Sequence, residues 1–137
     1  PILFKKILQM KLALPLLIGW RPYNDNLTNK DLQMSDVPVY MLVNLEVTDA
    51  EEYRKYEKGF FGILKRFGGQ FITFDDKPFT LEGVTPREGR MIMFSFPSEQ
   101  VANEWWADEE YQKLSVHRRA GTKMEFLTMV RGMPPRS

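Results

Sequence analysis

Residues 39–69 read VYMLVNLEVTDAEEYRKYEKGFFGILKRFGG, and this stretch decides the fold. Its first nine residues, Val39–Val47, alternate apolar side chains with others, which predicts a strand with one apolar face. Residues 48–52 then contain two overlapping capping boxes, which predict the start of a helix. Apolar residues recur at helical spacing up to Gly68 and Gly69, which end the helix because glycine accepts the left-handed conformation.

The rest of the chain repeats this order of elements. Residues 70–74 form a predicted second strand, and Arg90–Phe96 forms a third. Ser98 caps a second helix, the acidic residues 108–110 begin a further helical turn, and residues 123–131 form the last strand. Two β-α-β units in this order predict an α+β, ferredoxin-like split βαβ fold with one antiparallel sheet.

Both faces of the predicted sheet carry apolar side chains. Tyr40 and Leu42 lie on the second face of the first strand, and Met91 and Met93 lie on that of the third. A sheet with helices on one side usually leaves its other face to water, so an apolar second face requires a cover. We therefore expect a homodimer in which two sheets pack face to face.

Charge divides the chain into a leader and a domain. The 137 residues carry 19 basic and 18 acidic side chains, but residues 1–33 hold five basic against two acidic ones. We therefore expect a leader and linker at 1–33, outside the core, and an α+β domain at 34–137. That domain has a small acidic excess and no polybasic surface, which argues against a nucleic-acid partner.

The leader contains an apolar run that resembles a signal peptide only superficially. The run, residues 12–20, is interrupted by Pro15 and lacks a small-x-small cleavage site. It is also far shorter than the roughly 20 residues that cross a bilayer. These features predict a cytoplasmic protein with no membrane partner.

Several short motifs occur together in the order of one known family. They are Tyr53-x-x-Tyr56, Phe67-Gly68-Gly69, Leu81-Glu82-Gly83, Phe94-Ser95-Phe96-Pro97-Ser98, Ala102-x-x-Trp105 and Glu110-Tyr111-Gln112. Over about residues 37–132 the chain resembles domain-of-unknown-function family 1330. The resemblance implies a dimeric α+β barrel, related in fold to small monooxygenases, chlorite-dismutase-like proteins and muconolactone isomerases. It implies no activity, because that family has no established general one.

Aromatic side chains of the predicted helices form one candidate ligand pocket. Tyr53, Trp105, Trp106 and Tyr111 either line a cleft for a ring-bearing ligand or fill the core, which their helical spacing favours. Neighbours on a helix diverge by about 100°, so Trp105 and Trp106 do not both face inward. One of the two tryptophans is therefore expected at a rim, an interface or a pocket mouth.

Two cationic candidates lie near the end of the last predicted helix. Arg118 matches an arginine of the family pattern, seven residues after Tyr111. It either grips a ligand carboxylate or, as the favoured interpretation, pairs with Glu109 or Glu110. His117, the one histidine of the chain, is interpreted as a helix-end cation rather than a haem ligand.

Asn44 and Glu46 interrupt the apolar pattern of the first strand on its second face. A buried carboxylate there would serve as a proton carrier, but a Glu46 that is solvated or paired across the dimer is the favoured interpretation. The chain has no cysteine and one histidine. We therefore expect no metal site, and the sequence indicates no cofactor.

Two functions of different classes are compatible with these residues. The first is an uncharacterised homodimeric protein that binds a small apolar or aromatic acid between helices and sheet. The alternative is a cofactor-independent monooxygenase or isomerase that acts on a small ring substrate. No complete set of catalytic groups is recognisable, so the binding function is preferred and enzymatic activity is left undecided.

Overall fold

The computed structural model describes residues 37–134, which form four strands and three helices. In chain order these are β1 (Val39–Val47), α1 (Ala50–Arg66), β2 (Gln70–Asp75), β3 (Arg90–Phe96), α2 (Glu99–Ala107), α3 (Glu109–Gly121) and β4 (Thr122–Arg131). Every predicted strand and helix is present, and α3 is longer than the single turn expected. The leader predicted at 1–33 lies outside the described residues, so its separation from the domain stays a prediction.

The strands form one antiparallel sheet in the order β2-β3-β1-β4. β1 pairs with β3 from Val39 opposite Phe96 to Leu45 opposite Arg90. On its other side β1 pairs with β4, where the register shifts at Asn44 and Leu45. Because β1 and β3 occupy the centre of the sheet and each is followed by helix, the arrangement confirms the ferredoxin-like split βαβ fold.

Each helix begins at a residue whose side chain accepts a backbone hydrogen bond. Asp49 accepts from the backbone N–H of Glu52 at 3.2 Å, so Asp49 rather than Thr48 is the cap of α1. Ser98 caps α2 and Asp108 caps α3 in the same way. At the other end of α1 the chain reverses through Gly68, whose φ of 69° lies in the left-handed region.

The helices cover one face of the sheet and enclose the core there. Alternate side chains of β1, from Val39 to Leu45, are buried under the aromatic face of α1. Trp105 of α2 is fully buried, with its ring centre 5.5 Å from that of Phe94. Trp106 is only half-buried, as expected for the neighbour of an inward-facing residue on a helix.

The opposite face of the sheet carries no helix within residues 37–134. It presents a mainly apolar set of partly exposed side chains: Tyr40, Leu42, Met91, Met93, Phe126, Thr128 and Val130. The two-sided apolar pattern predicted from the strands is therefore present.

Candidate functional site

A cavity lies between α1 and the sheet. Its volume is about 180 Å³, which suits a small organic molecule, since a cavity of roughly 150 Å³ holds benzene. Tyr53, Tyr56 and Phe60 contribute to its helical wall, and Ile92 and Phe94 contribute to its sheet wall. Most of the lining is aromatic or aliphatic, so the few charged groups on it decide which ligand polarity fits.

Arg118 of α3 reaches the inner end of this cavity, and no carboxylate of residues 37–134 pairs with it. The residue is 4% exposed, and its Nε and Nη2 have no hydrogen-bond partner within residues 37–134. Its guanidinium carbon lies 5.5 Å from the centre of the Tyr56 ring. Such a cation–π contact is worth about 0.5–2 kcal/mol, less than the several kcal/mol that burying a charge costs.

The favoured interpretation of Arg118, an ion pair with a helix acid, is contradicted by the structure. Glu110 instead pairs with Arg66 at 3.0 Å, and Glu109 pairs with Lys113 at 3.1 Å. Both carboxylates lie on the exposed side of α3. Arg118 lies on the buried side, so its charge is available to whatever occupies the cavity.

The end of α3 is held against the start of α1, and this contact positions Arg118. The carbonyl oxygen of Gly121 accepts hydrogen bonds from the backbone N–H groups of Thr48 and Asp49 at 2.9 and 3.1 Å. A Cβ at Gly121 would lie 2.8 Å from the backbone nitrogen of Tyr53, so the close approach requires glycine. One turn earlier on α3, Arg118 is thereby brought to the cavity wall.

Two buried phenols support the inner end. The hydroxyl oxygens of Tyr56 and Tyr111 lie 2.8 Å apart and share a hydrogen bond. Burial raises the pKa of the Tyr56 phenol well above its usual 10.0, and the charge of Arg118 opposes that rise only in part. Tyr56 is therefore neutral at physiological pH and contributes no negative charge to offset Arg118.

Arg90, the first residue of β3, lies at the outer mouth and is paired with two acids. Its Nε donates to Oδ1 of Asp76 at 2.6 Å, and its Nη1 donates to Oε2 of Glu57 at 3.2 Å. The hydrogen bond between Arg90 and Asp76 lowers the pKa of the carboxyl and raises that of the guanidinium. Two carboxylates against one guanidinium leave the mouth with an excess of negative charge.

Gly89 sets the position of Arg90. Its φ is 79°, in the left-handed region, and a Cβ there would lie 2.5 Å from the carbonyl oxygen of Leu45. The backbone at Gly89 therefore packs directly against the end of β1, and this contact places Arg90 at the mouth. Outside the mouth lies a more polar surface depression of about 400 Å³, the outer depression. It shares Tyr53, Glu57 and Arg90 with the cavity.

Two of the predicted pocket residues, Tyr53 and Arg118, are on the cavity wall. Tyr111 lies behind the wall and contacts the cavity through its hydrogen bond to Tyr56. Trp105 is in the core, with its ring centre 4.2 Å from that of Tyr111. Two of the four predicted aromatic residues, Trp105 and Tyr111, therefore lie behind the cavity wall rather than on it.

The other predicted residues lie away from the cavity. Trp106 is half-buried on the far side of α2, and Nδ1 of His117 lies 2.7 Å from a carboxylate oxygen of Glu52. The side-chain amide of Asn44 donates to two backbone carbonyls at 2.8 and 3.2 Å. Glu46 is exposed and borders the outer depression. The favoured solvated interpretation of Glu46 fits this position.

The charged residues of the mouth were missed by the sequence argument. Arg90 is the one charged residue in its strand and directly follows Gly89, a combination that marks a strand end held in an unusual conformation. Glu57 follows Tyr53 by four residues and so shares a side of α1 with it. Neither pattern predicts that Arg90 pairs with Asp76 and Glu57, so this ion-pair cluster is recognised only in the structure.

No three histidine, cysteine or acidic side chains of residues 37–134 come together as a group that would hold a metal ion. Within the same range, no helix is both long and apolar enough to cross a membrane.

The fold and the cavity together define a class of protein: a ferredoxin-like α+β domain with an apolar cavity between helices and sheet. A buried arginine lines that cavity, and it has no carboxylate partner within residues 37–134. The sequence model of DUF1330, described as a domain of unknown function, matches residues 38–133. The chain therefore belongs to the DUF1330 family. Comparison with curated proteins gives no match.

Solved structures also resemble the chain. RPA0582 from Rhodopseudomonas palustris, described as a protein of unknown function, is 19% identical with a TM-score of 0.59 over 73% of this chain and 85% of that one. Methylated RPA0582 is 19% identical with a TM-score of 0.58 over 83% and 98%. SnoaB from Streptomyces nogalater, described as a cofactor-independent oxygenase, is 13% identical with a TM-score of 0.45 over 72% and 96%. The likeness to RPA0582 supports the fold.

Proposed function

We propose that this DUF1330 protein is a homodimer that binds a small apolar or aromatic acid in the cavity, with Arg118 holding the anionic group of the ligand. The observation that carries this proposal is the buried guanidinium of Arg118, whose Nε and Nη2 have no partner within residues 37–134. A cytoplasmic location and the lack of a nucleic-acid partner stay predictions from the sequence.

The energetics of Arg118 support an anionic ligand. A buried charge without a partner costs several kcal/mol, and the cation–π contact with Tyr56 offsets only part of that cost. A carboxylate accepting from Nε and Nη2 would satisfy both donors in the two-pronged geometry that guanidinium favours. The bound state would thus recover free energy that the empty protein lacks.

The shape and lining of the cavity support an apolar, ring-sized body for that ligand. The volume of about 180 Å³ has room for a single ring with a short substituent. Phe60 and Phe94 meet edge to face across the cavity wall, with ring centres 5.1 Å apart. Aromatic walls of this kind favour offset or edge-on contacts with another ring.

The open face of the sheet supports the homodimer. On that face Leu42 of β1 is directly opposite Met93 of β3, and Tyr40 and Met91 lie diagonal to this pair. Apolar patches of this sort on a sheet mark association surfaces. Two copies related by a two-fold axis would cover both faces with the same residues. The dimer would leave the cavity, on the helical face, accessible.

The enzyme alternative has weaker support from the same residues. A monooxygenase or isomerase acting on a ring substrate needs a group that moves a proton beside the ligand. Glu46, named for that role, is exposed outside the mouth, and the amide of Asn44 is committed to backbone carbonyls. We therefore favour binding over catalysis.

Calorimetric titration with benzoate and phenylacetate tests the binding function. We expect wild-type protein to bind these acids and to bind neutral benzamide far more weakly. Arg118→Met should lower the affinity for benzoate by about 10- to 100-fold, because hydrogen bonds to charged groups contribute about 1.5–3 kcal/mol. Benzamide binding should change little.

Arg119→Met is the matched control for that variant. Arg119 is the next residue of α3, is exposed, and donates to Oε1 of Gln112 rather than facing the cavity. It should bind benzoate with wild-type affinity. If folded Arg118→Met binds benzoate as tightly as the wild-type protein does, the proposed function is wrong.

Native mass spectrometry tests the homodimer separately. We expect a species at twice the chain mass of 16.1 kDa. Leu42→Glu would place a carboxylate in the middle of the open face and should convert that species to monomer. A wild-type protein that is monomeric at micromolar concentration would contradict the dimer without touching the binding proposal.

A further inference from the structure

The two ends of the cavity carry charge of opposite sign. The inner end holds Arg118, buried and without a carboxylate partner within residues 37–134. The mouth holds Arg90 together with Asp76 and Glu57, so its one positive charge faces two negative ones. A ligand lying along the cavity therefore meets a cation at its inner end and a net anion at its outer end.

From this arrangement we infer that the ligand is a ring-bearing monoanion with a neutral hydrogen-bond donor, such as a hydroxyl, at the end opposite its acid group. The inference rests on the proposed function, since it takes the acid group to lie on Arg118. It adds the polarity of the outer end, which the proposed function leaves open.

The exposure of the wall residues gives the cavity its direction. Arg118 and Tyr56 are buried at the inner end, whereas Glu57 and Phe74 are exposed at the outer one. The rings of Tyr53 and Tyr56 stack along the wall with their centres 5.7 Å apart. Arg118 lies over the Tyr56 ring and Arg90 over the Tyr53 ring, so the two guanidinium groups contact neighbouring rings of the wall.

Glu57 is the group that would accept the hydroxyl. Its Oε2 accepts from Nη1 of Arg90, and a carboxylate has further lone pairs for a second donor. The ion pair with Arg90 holds the Glu57 carboxylate at the rim, where it lines both the cavity and the outer depression. A donor on the ligand would meet a charged acceptor there, which is the stronger kind of hydrogen bond.

The same charges disfavour a second acid group on the ligand. A dicarboxylate would place its outer carboxylate beside Glu57 and Asp76, between which Arg90 is already shared. The outer depression adds Arg54 and Glu46, one charge of each sign, so the mouth keeps its excess of negative charge. Like charges close together at a partly buried site repel. The mouth therefore selects against dianions by repulsion, as well as for hydroxyl donors by attraction.

Calorimetric titration with benzoate, 4-hydroxybenzoate and terephthalate at pH 7 tests this inference. We expect the wild-type protein to bind 4-hydroxybenzoate about tenfold more tightly than benzoate, and terephthalate about tenfold less tightly. Glu57→Gln keeps the size of the side chain and removes its charge. It should reduce both preferences to about threefold or less.

Glu51→Gln is the matched control, because Glu51 is an exposed acid of the same helix that does not line the cavity. It should keep the wild-type order of the three acids. If benzoate binds through Arg118 but all three acids bind alike, or if Glu57→Gln keeps the hydroxyl preference, the inference about the mouth is wrong and the proposed function stands. If none of the acids binds, or Arg118→Met binds them all as wild type does, both are wrong.

Discussion

Arg118 and Arg90 line one cavity, yet their surroundings differ in almost every respect. Arg90 lies at the mouth with carboxylates of Asp76 and Glu57 within hydrogen-bond distance and the Phe74 ring beneath it. Arg118 lies at the inner end with a neutral phenol ring beside it and no carboxylate partner within residues 37–134. The mouth is exposed and electrostatically satisfied, while the inner end is buried and unsatisfied.

This difference separates an arginine that the fold explains from one that it does not. The ion pairs of Arg90 tie β3 to α1 and to the end of β2, so local structure is a sufficient reason for its presence. Arg118 weakens the fold where it lies, because a buried charge without a counter-ion is unfavourable. A residue that destabilises the protein in a cavity wall is best explained by a ligand, and functional sites often carry such costs.

Removing a ring from the buried sheet wall should destabilise the protein far more than removing one from the mouth. Phe94, at the sheet wall, is 2% exposed and contacts Phe60 and Trp105, whereas Phe74 at the mouth is 52% exposed. We expect Phe94→Ala to lower the free energy of unfolding by about 3–5 kcal/mol, because it leaves an unfilled space in the core. Phe74→Ala should lower it by about 1 kcal/mol or less. Urea unfolding followed by tryptophan fluorescence measures both changes. Equal losses of unfolding free energy would contradict the distinction between a packed sheet wall and an open mouth.

Replacing the unpaired arginine should raise stability. Arg118→Met keeps much of the side-chain volume and removes the buried charge, so we expect the free energy of unfolding to increase by about 1–3 kcal/mol in the absence of ligand. Arg119→Met, on the exposed side of the same helix, should change it by less than about 0.5 kcal/mol. The measurement is the midpoint of urea unfolding. A destabilised Arg118→Met protein would mean that Arg118 has a structural partner, and the comparison of the two arginines would fail.

The sequence predicted the framework of this site far better than its charges. The strand Val39–Val47 and the cap at Asp49 were predictable because apolar alternation and capping are local and repeat along the chain. The approach of Arg118 to the cavity was not, because it depends on Gly121 packing against the start of a helix some seventy residues earlier in the chain. A sequence shows that an arginine lies beside acids along a helix, but not which side of the helix is buried.

The tryptophans illustrate the same limit. Trp105 and Trp106 were expected to face different ways, which the helix geometry alone dictates, and they do. Which rings line the cavity depended on the sheet, because the wall is completed by strands that are distant in sequence. The pair Asp76 and Arg90 shows the same dependence. Fourteen positions separate the two residues in sequence, and the pairing of β2 with β3 brings them together.

The phenol pair at the inner end should give a smaller effect with a distinct pH dependence. Tyr56→Phe removes the hydrogen bond to Tyr111 and should cost about 1 kcal/mol at pH 7. Burial raises the pKa of Tyr56 in the folded protein, so its neutral form is stabilised by folding. That stability is fully present below the usual pKa of about 10 and is lost as pH rises above it, because the unfolded phenol releases its proton first.

Urea unfolding between pH 8 and pH 11 measures this dependence. We expect wild-type protein to lose stability above about pH 10, and Tyr56→Phe to lose less over the same interval. Parallel curves for Tyr56→Phe and wild-type protein would show that the inner phenol is not neutralised by burial as the structure implies.

The smallest effect is expected from the ion pairs of the mouth. Asp76→Asn removes one partner of Arg90 but leaves Glu57, and exposed pairs of this type contribute about 1 kcal/mol or less. Because Arg90 lowers the pKa of Asp76 in the folded protein, the contribution is present above the usual pKa of 3.8 and is lost as pH falls through the lower folded value. Thermal unfolding between pH 6 and pH 2.5 should therefore show that Asp76→Asn loses less stability than wild type as the pH falls. Glu82→Gln is the control, because Glu82 is an exposed acid of the same β2–β3 connection, and it should keep the wild-type pH dependence. If Asp76→Asn instead costs as much as Phe94→Ala, the mouth is part of the rigid core, and Arg90 and Arg118 would no longer belong to different kinds of environment.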